Sequence, residues 1–290
     1  MTSRVELDLN VEVDVLTAGT VAEVVNAILE SLLYQRNQIP FVYKTYRYYV
    51  NKWADGDERY GAEVESVKNF QVQRQRQLAK TTKDSISAMR EVIKETFTRI
   101  HIKSVRFLFG GTSFTPKEAY TIHIPSEDVL RNHSWEQHRI EAPKLNETLI
   151  SLVTNETLYS IFSQNLCPTN IYLEFELFNH CTNSSTWQVN DSKLNIFPKE
   201  FSEAPSSCKD IQINIVHKGK PNAENKHLKC CRDMQIFEDA VSPLGNSVTA
   251  LKECKESMKA TSMKSTGWWE SDVIIRGFKE QTIRGFNMWK

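Results

Sequence analysis

The stretch TVAEVVNAILESLLYQRNQIP, residues 20–40, carries a helix and, near its end, a residue that does not fit it. Val21, Val24, Val25, Ile28, Leu29, Leu32 and Leu33 recur at helical spacing, so they line one face of a helix. Thr20 followed by Glu23 is a capping-box pattern that predicts the helix start, and Pro40 predicts its stop, with the last turn near Gln38. Gln35 lies seven residues after Ile28 and fourteen after Val21, so it continues the apolar stripe with an amide that needs hydrogen bonds. Two readings stand side by side. Either the last turn frays at the surface, or the amide is held for a partner, where losing a buried bond costs about 1–3 kcal/mol.

On the N-terminal side of this helix, Val5 to Val15 alternates apolar and polar residues strictly, which predicts a half-buried strand. On the C-terminal side, Phe41 to Trp53 is rich in tyrosine and predicts a short helix packed over the core. A long charged helix is expected from about Ala62 to Ile100, its stripe running through Leu78, Ile86, Met89, Val92, Ile93, Phe97 and Ile100. Val105 to Phe109, closed by Gly110 and Gly111, and Tyr120 to Ile124 read as neighbouring strands. Lys144 to Gln164 reads as one further helix, apolar nearly all round through Leu145, Leu149, Ile150, Leu152, Val153, Leu158, Tyr159, Ile161 and Phe162. Such a helix is either buried on all sides or shares a face with a partner. Three more strands are expected, at Ile171 to Phe178, Ile211 to Val216 and Val273 to Phe278. The lysine-rich stretch at 218–264 reads as a poorly packed insertion, with a helix near Ser247 to Met258, in a chain of one domain spanning residues 1–290.

Composition narrows the function. With 40% hydrophobic and 25% charged residues, the chain has enough apolar surface to build a core. Its 36 basic and 36 acidic residues balance, which argues against binding driven by a basic surface to nucleic acid or membrane. The alternating, acidic N-terminus has no apolar run of the secretory type, so an intracellular protein with reduced cysteines is expected and its Asn-x-Ser/Thr sequons read as chance.

Catalytic patterns are thin, and no cofactor is expected. Gly110-Gly111 lacks the Gly-Lys-Ser/Thr that would charge-match a phosphate, so it reads as a tight strand exit. His227, Cys230, Cys231 and Cys254 contain no paired Cys-x2-Cys knuckle, and adjacent cysteines share a tetrahedral site poorly. Nothing in the chain sets a nucleophile beside its base, which points away from an enzyme.

Residues Leu33-Tyr34-Gln35-Arg36-Asn37-Gln38-Ile39-Pro40 resemble the Tyr-Gln-Arg-x-Gln-Leu-Pro signature of the comet family, also called the Mad-two-binding protein. Three later stretches resemble that family in the same order: Val105 to Gly111 leading to Thr115–Tyr120, then Lys193-Leu194-Asn195, then Trp268 to Phe278 with its closing Arg276-Gly277-Phe278. The resemblance implies an α+β HORMA fold, with three main helices on a mixed sheet and a C-terminal segment wrapped around it as a closed safety belt. It implies an adaptor that binds the closed form of the Mad-two checkpoint protein and delivers it to an AAA+ remodelling ATPase, silencing the spindle checkpoint. A nuclear and cytoplasmic location, with spindle and kinetochore in mitosis, goes with that role. Carried over residue by residue, Gln35 matches the partner-contacting glutamine, and the family's aromatic anchor falls near Leu152 or Val153, on the same helix as Tyr159. Lys193 matches the lysine of a Pro-Lys pair used for ATPase engagement, flanked here by Ser192 and Leu194. The alternative within this fold is a meiotic-axis or DNA-repair scaffold that captures a peptide by strand addition.

Overall fold

Strict alternation at the N-terminus does produce a strand: β1 (Arg4–Val11) turns Leu7, Leu9 and Val11 inward and leaves Arg4, Glu6 and Asp8 in solvent. The computed structural model describes residues 4–13, 15–56, 66–129, 140–177, 195–199, 205–219, 267–283 and 288–289. The order that follows is α1 (Ala18–Gln35), α2 (Tyr43–Gly56), α3 (Ser66–Arg99), β2 (Ile102–Gly110), β3 (Pro116–His123), α4 (Ala142–Val153), α5 (Glu156–Phe162), β4 (Asn170–Leu177), β5 (Ile196–Lys199), β6 (Lys209–His217), β7 (Trp268–Ser271) and β8 (Ile275–Arg276). The expected insertion falls almost wholly outside the described residues, as does the helix placed within it.

The strands form one mixed sheet in the order β1-β6-β3-β2-β4-β7-β5, with β8 also paired to β4. β6 runs parallel to both β1 and β3, and the other pairs are antiparallel. Its register aligns Leu7, Ile213, Ile122, Val105, Phe175 and Trp269 in one row across six strands. Period-two alternation sends this row and its neighbours to the same face, where α1 contributes Val21, Val24, Val25, Ile28, Leu29, Leu32 and Leu33 to one continuous core. A slip of one residue in any strand would expose its whole apolar set.

Local chemistry moves several boundaries. The cap of α1 is Thr17, not Thr20: its hydroxyl accepts from the Thr20 backbone N–H at 3.1 Å. The helix ends at Gln35, three residues earlier than Pro40 alone suggests, because Asn37 takes φ 56°. There the Gln38 N–H donates to Leu33 O at 2.8 Å and the Asn37 N–H to Tyr34 O at 3.0 Å, a Schellman ending with asparagine in the left-handed position. The expected aromatic helix is α2, whose Tyr43, Tyr46, Val50 and Trp53 are buried at helical spacing. In α3 the stripe runs through Val72, Gln75, Ala79, Thr82, Ile86, Met89 and Ile93, so Leu78, one residue off this three-and-four spacing, lies exposed.

The expected helix over 144–164 is two helices. Asn155 breaks it, because its side-chain oxygen accepts from the N–H groups of Thr157 and Leu158 and starts α5 afresh. The last expected strand, Val273 to Phe278, is shortened. Only Ile275 and Arg276 pair with β4, while Trp268–Ser271 forms a strand of its own between β4 and the short β5.

Polar residues on the buried stripe of α3 show where the C-terminal segment crosses. The Thr82 hydroxyl donates to Arg276 O at 3.0 Å, and Gln75 Oε1 accepts from the Gln281 N–H at 3.3 Å. Beyond them Trp289, 8% exposed, sits among Phe41, Tyr46, Tyr49, Trp53 and Phe278, with ring centroids 4.9–6.0 Å away. Its indole N–H donates to Glu280 at 2.9 Å. The C-terminal segment is thus pinned to the helical layer by an aromatic cluster in which the Trp289 N–H has a partner.

Candidate functional site

The residues around the end of α1 separate by side-chain direction into a buried clamp and an open groove. Arg36 is 1% exposed, and its guanidinium meets the carboxylate of Glu118 through two parallel bonds of 2.8 Å. The remaining guanidinium nitrogen donates to the carbonyls of Ile161, Phe162 and Gln164, at and just beyond the end of α5. A single arginine therefore joins the end of α1, strand β3 and the end of α5, and its charge lies where the α5 dipole favours a cation. Glu118 also accepts from the Tyr120 hydroxyl at 2.9 Å and from Lys209 at 3.4 Å. Burial first, and the Glu118 charge second, push the Tyr120 phenol well above its ordinary pKa, so it remains a donor to that carboxylate.

Gln38 makes a second junction. Its amide donates to Arg36 O at 2.6 Å, accepts from the Thr169 N–H at 2.7 Å, and its own carbonyl accepts from the Phe278 N–H at 2.8 Å. Gly277 passes directly over it, with its N–H bonded to Thr169 O at 2.8 Å. A Cβ on Gly277 would lie 2.3 Å from Gln38 Oε1 and 2.9 Å from the Thr169 nitrogen, so the close passage requires glycine. The two motifs Tyr34–Pro40 and Arg276–Phe278, far apart in sequence, are thereby one structural unit.

Outward from these junctions lies a groove of about 540 Å³ lined by Tyr34, Gln35, Phe162, Pro168, Phe278 and Lys279 among others. Gln35 is half-buried on its wall, and its side-chain amide has no hydrogen-bonded partner among the described residues. Tyr34 is 41% exposed, and Tyr159, one turn before Phe162 on the same face of α5, is 70% exposed. The result is an amide open to solvent on the groove wall, with exposed Tyr34 beside it.

Of the other residues expected to contact a partner, Leu152 does not lie on a surface at all. It is 1% exposed, because α4 turns Thr148 and Leu152 inward onto β1, with the Thr148 hydroxyl donating to Asn10 O at 3.2 Å. Val153 beside it is half-buried. The exposed apolar residue of α4 is Ile150, at 60%. Ser192, Lys193 and Leu194 lie outside the described residues. Gly110 closes the β2–β3 turn: a Cβ there would meet Pro116 Cα at 2.6 Å. The Gly111 carbonyl accepts from the Tyr172 hydroxyl at 2.8 Å, so this pair serves a hairpin connection.

Sequence reasoning missed the outer sheet face. Glu174 and Glu176 alternate away from the core as expected of polar strand residues, yet they are 0% and 8% exposed. Glu174 accepts from Arg106 Nε at 2.8 Å and from Lys199, and Lys199 also reaches Ser113 O at 3.2 Å. Trp268 stacks on Arg106 with its ring centroid 3.8 Å from the guanidinium carbon. This cluster fastens β5 and β7 to β2 and β4. The available signal was opposite charge at Arg106 and Glu174, which become paired only once the β2–β4 register is known.

Residues 15–138 match the sequence profile of the p31comet family, described as "Mad1 and Cdc20-bound-Mad2 binding". No curated protein matches the chain. The matched region contains the Tyr34–Pro40 and Val105–Tyr120 motifs, and the family resemblance they carry is borne out. The fold class follows with it: among the described residues, five helices and a mixed parallel and antiparallel sheet make the chain HORMA-like.

Proposed function

Given the p31comet family match over residues 15–138, we propose that this chain is a binding adaptor of the spindle checkpoint, without chemistry of its own. In this reading residues 1–290 are one HORMA-like domain that binds the closed form of Mad2 and presents it to an AAA+ remodelling ATPase. The checkpoint complex then comes apart, in the nucleus and cytoplasm and at the mitotic spindle and kinetochores. The observation that carries the reading is Gln35. An amide without a protein hydrogen-bond partner among the described residues, on a groove wall with Tyr34 and Phe162 and with exposed Tyr159 on the same helix as Phe162, has the character of an interface awaiting its other half.

Gln35→Ala combined with Tyr159→Glu is expected to weaken capture of closed Mad2 by about a hundredfold or more, since each change removes roughly 1–3 kcal/mol. Both side chains are at least partly exposed, so the thermal midpoint should stay within a few degrees of the parent. Titration calorimetry checks the affinity, and unchanged affinity in the double variant would sink the proposed surface. Preference for a short closure peptide over closed Mad2 in the same titration would favour the scaffold reading. Lys193, beside Ser192 and Leu194, is assigned to the ATPase step. Lys193→Glu should reduce recruitment to the remodelling ATPase in a pull-down while leaving Mad2 affinity unchanged, and equal recruitment of both proteins would count against that assignment.

A further inference from the structure

The groove beside Gln35 has three walls, and only one of them comes from the region that carries the family match. One is the end of α1, with Tyr34, Gln35 and Asn37, and the second is Phe162 and Pro168, from α5 and the loop before β4. The third is the C-terminal segment, with Phe278, Lys279 and Glu280. That segment is held in place by contacts behind the groove surface. Its backbone is bonded to Thr169 and Gln38 through Gly277 and Phe278, and its end is anchored where Trp289 enters the aromatic cluster and reaches back to Glu280.

The geometry points to a composite docking site, in which the closed C-terminal segment supplies part of the surface that Mad2 contacts and Trp289 is the positioning residue that keeps it there. The inference rests on the Mad2-binding reading of Gln35 and extends it from a static surface to one gated by the chain's own end. Lys279 and Glu280 are exposed on the third wall, one cation and one anion, so they contribute charge selectivity at the rim. Trp289 does not itself line the groove. It acts through Glu280 and through Phe278, whose ring lies 5.9 Å from its own. If the segment lifts, the groove loses a wall, and the apparent affinity falls by the fraction of molecules in which the wall is present.

The test uses the full chain, purified closed Mad2 and three variants: Gln35→Ala, Lys279→Glu and Trp289→Ala. Lys279→Glu alters an exposed side chain and leaves folding untouched. It should weaken Mad2 binding about three- to tenfold at low salt, with the difference shrinking as salt is raised. Trp289→Ala should speed hydrogen exchange at the amides of Gly277, Phe278 and Gln281 while the amides of α1 and the central strands stay protected. Its dissociation constant should rise by the same factor as the closed fraction measured by that exchange falls. Binding by both Lys279→Glu and Trp289→Ala at parental strength, with Gln35→Ala impaired, overturns the composite site and leaves the Gln35 surface standing. Failure of the parent chain to bind Mad2 overturns the underlying reading and this inference together. If Trp289→Ala unfolds the chain globally, Lys279→Glu decides the outcome alone.

Discussion

Arg36→Ala is expected to destabilise the protein by about 3–5 kcal/mol, because it leaves a buried carboxylate with its principal counter-charge gone. Glu118 is 2% exposed, and of its partners only Tyr120 at 2.9 Å and Lys209 at 3.4 Å would remain. The same substitution removes a donor from three carbonyls at and just beyond the end of α5, which lies beside the groove. Lysine should rescue only part of the loss, since an ammonium cannot form the two parallel bonds to the carboxylate while also reaching those carbonyls. Denaturant unfolding of Arg36→Ala, Arg36→Lys and Arg36→Met combined with Glu118→Leu separates the contributions. The paired apolar replacement should recover much of the loss, because breaking one half of a buried ion pair costs far more than removing both halves. A single-variant loss below about 1 kcal/mol would show that water reaches Glu118 and that the clamp is not desolvated.

Glu174→Ala is the second large effect, also about 3–5 kcal/mol, and its physics is the mirror image. There the carboxylate goes and two cations stay: Arg106, whose side chain is 10% exposed, and Lys199, at 5%. Lys199 keeps Ser113 O and the edge of Glu270, 3.7 Å away, while Arg106 keeps the face of Trp268. Because this cluster ties β5 and β7 to the sheet, the loss should be felt first as opening of the β5–β7 edge. Hydrogen exchange should rise at the paired amides of 196–199 and 268–271 before it rises in β2 or β3. Uniform loss of protection over the whole sheet would instead place Glu174 in the global folding unit. Glu174→Gln should recover part of the stability by keeping the hydrogen-bonding geometry without the charge.

The two clusters differ in how visible they were. Arg36 sits within the motif that drew attention to the end of α1, yet the residue singled out there was Gln35. Helical periodicity drew attention to Gln35, which is half-buried on the groove wall. Periodicity could not identify Arg36, because a buried arginine is tolerable only when a carboxylate 82 residues away arrives beside it. Leu152 shows the same limit from the other side. An all-round apolar helix predicted burial or a partner, and the break at Asn155 made that ambiguity two separate questions. α4 turns Leu152 into the core while α5 leaves Tyr159 outside.

By itself the sequence determined whatever neighbours along the chain can determine: the strands that alternate, the face of α1, the aromatic helix, the hairpin at Gly110 and the motifs within residues 15–138 that match the p31comet profile. The tertiary structure alone decided which polar residues are buried together. Gln38 meets Thr169 and Phe278, Thr82 meets Arg276, and Glu174 meets Lys199, pairings that no local pattern announces. The reason is physical. A helix or strand face is set by spacings of two to four residues, whereas a buried polar contact is stable only when strand order and register bring its partner within about 3 Å and exclude water.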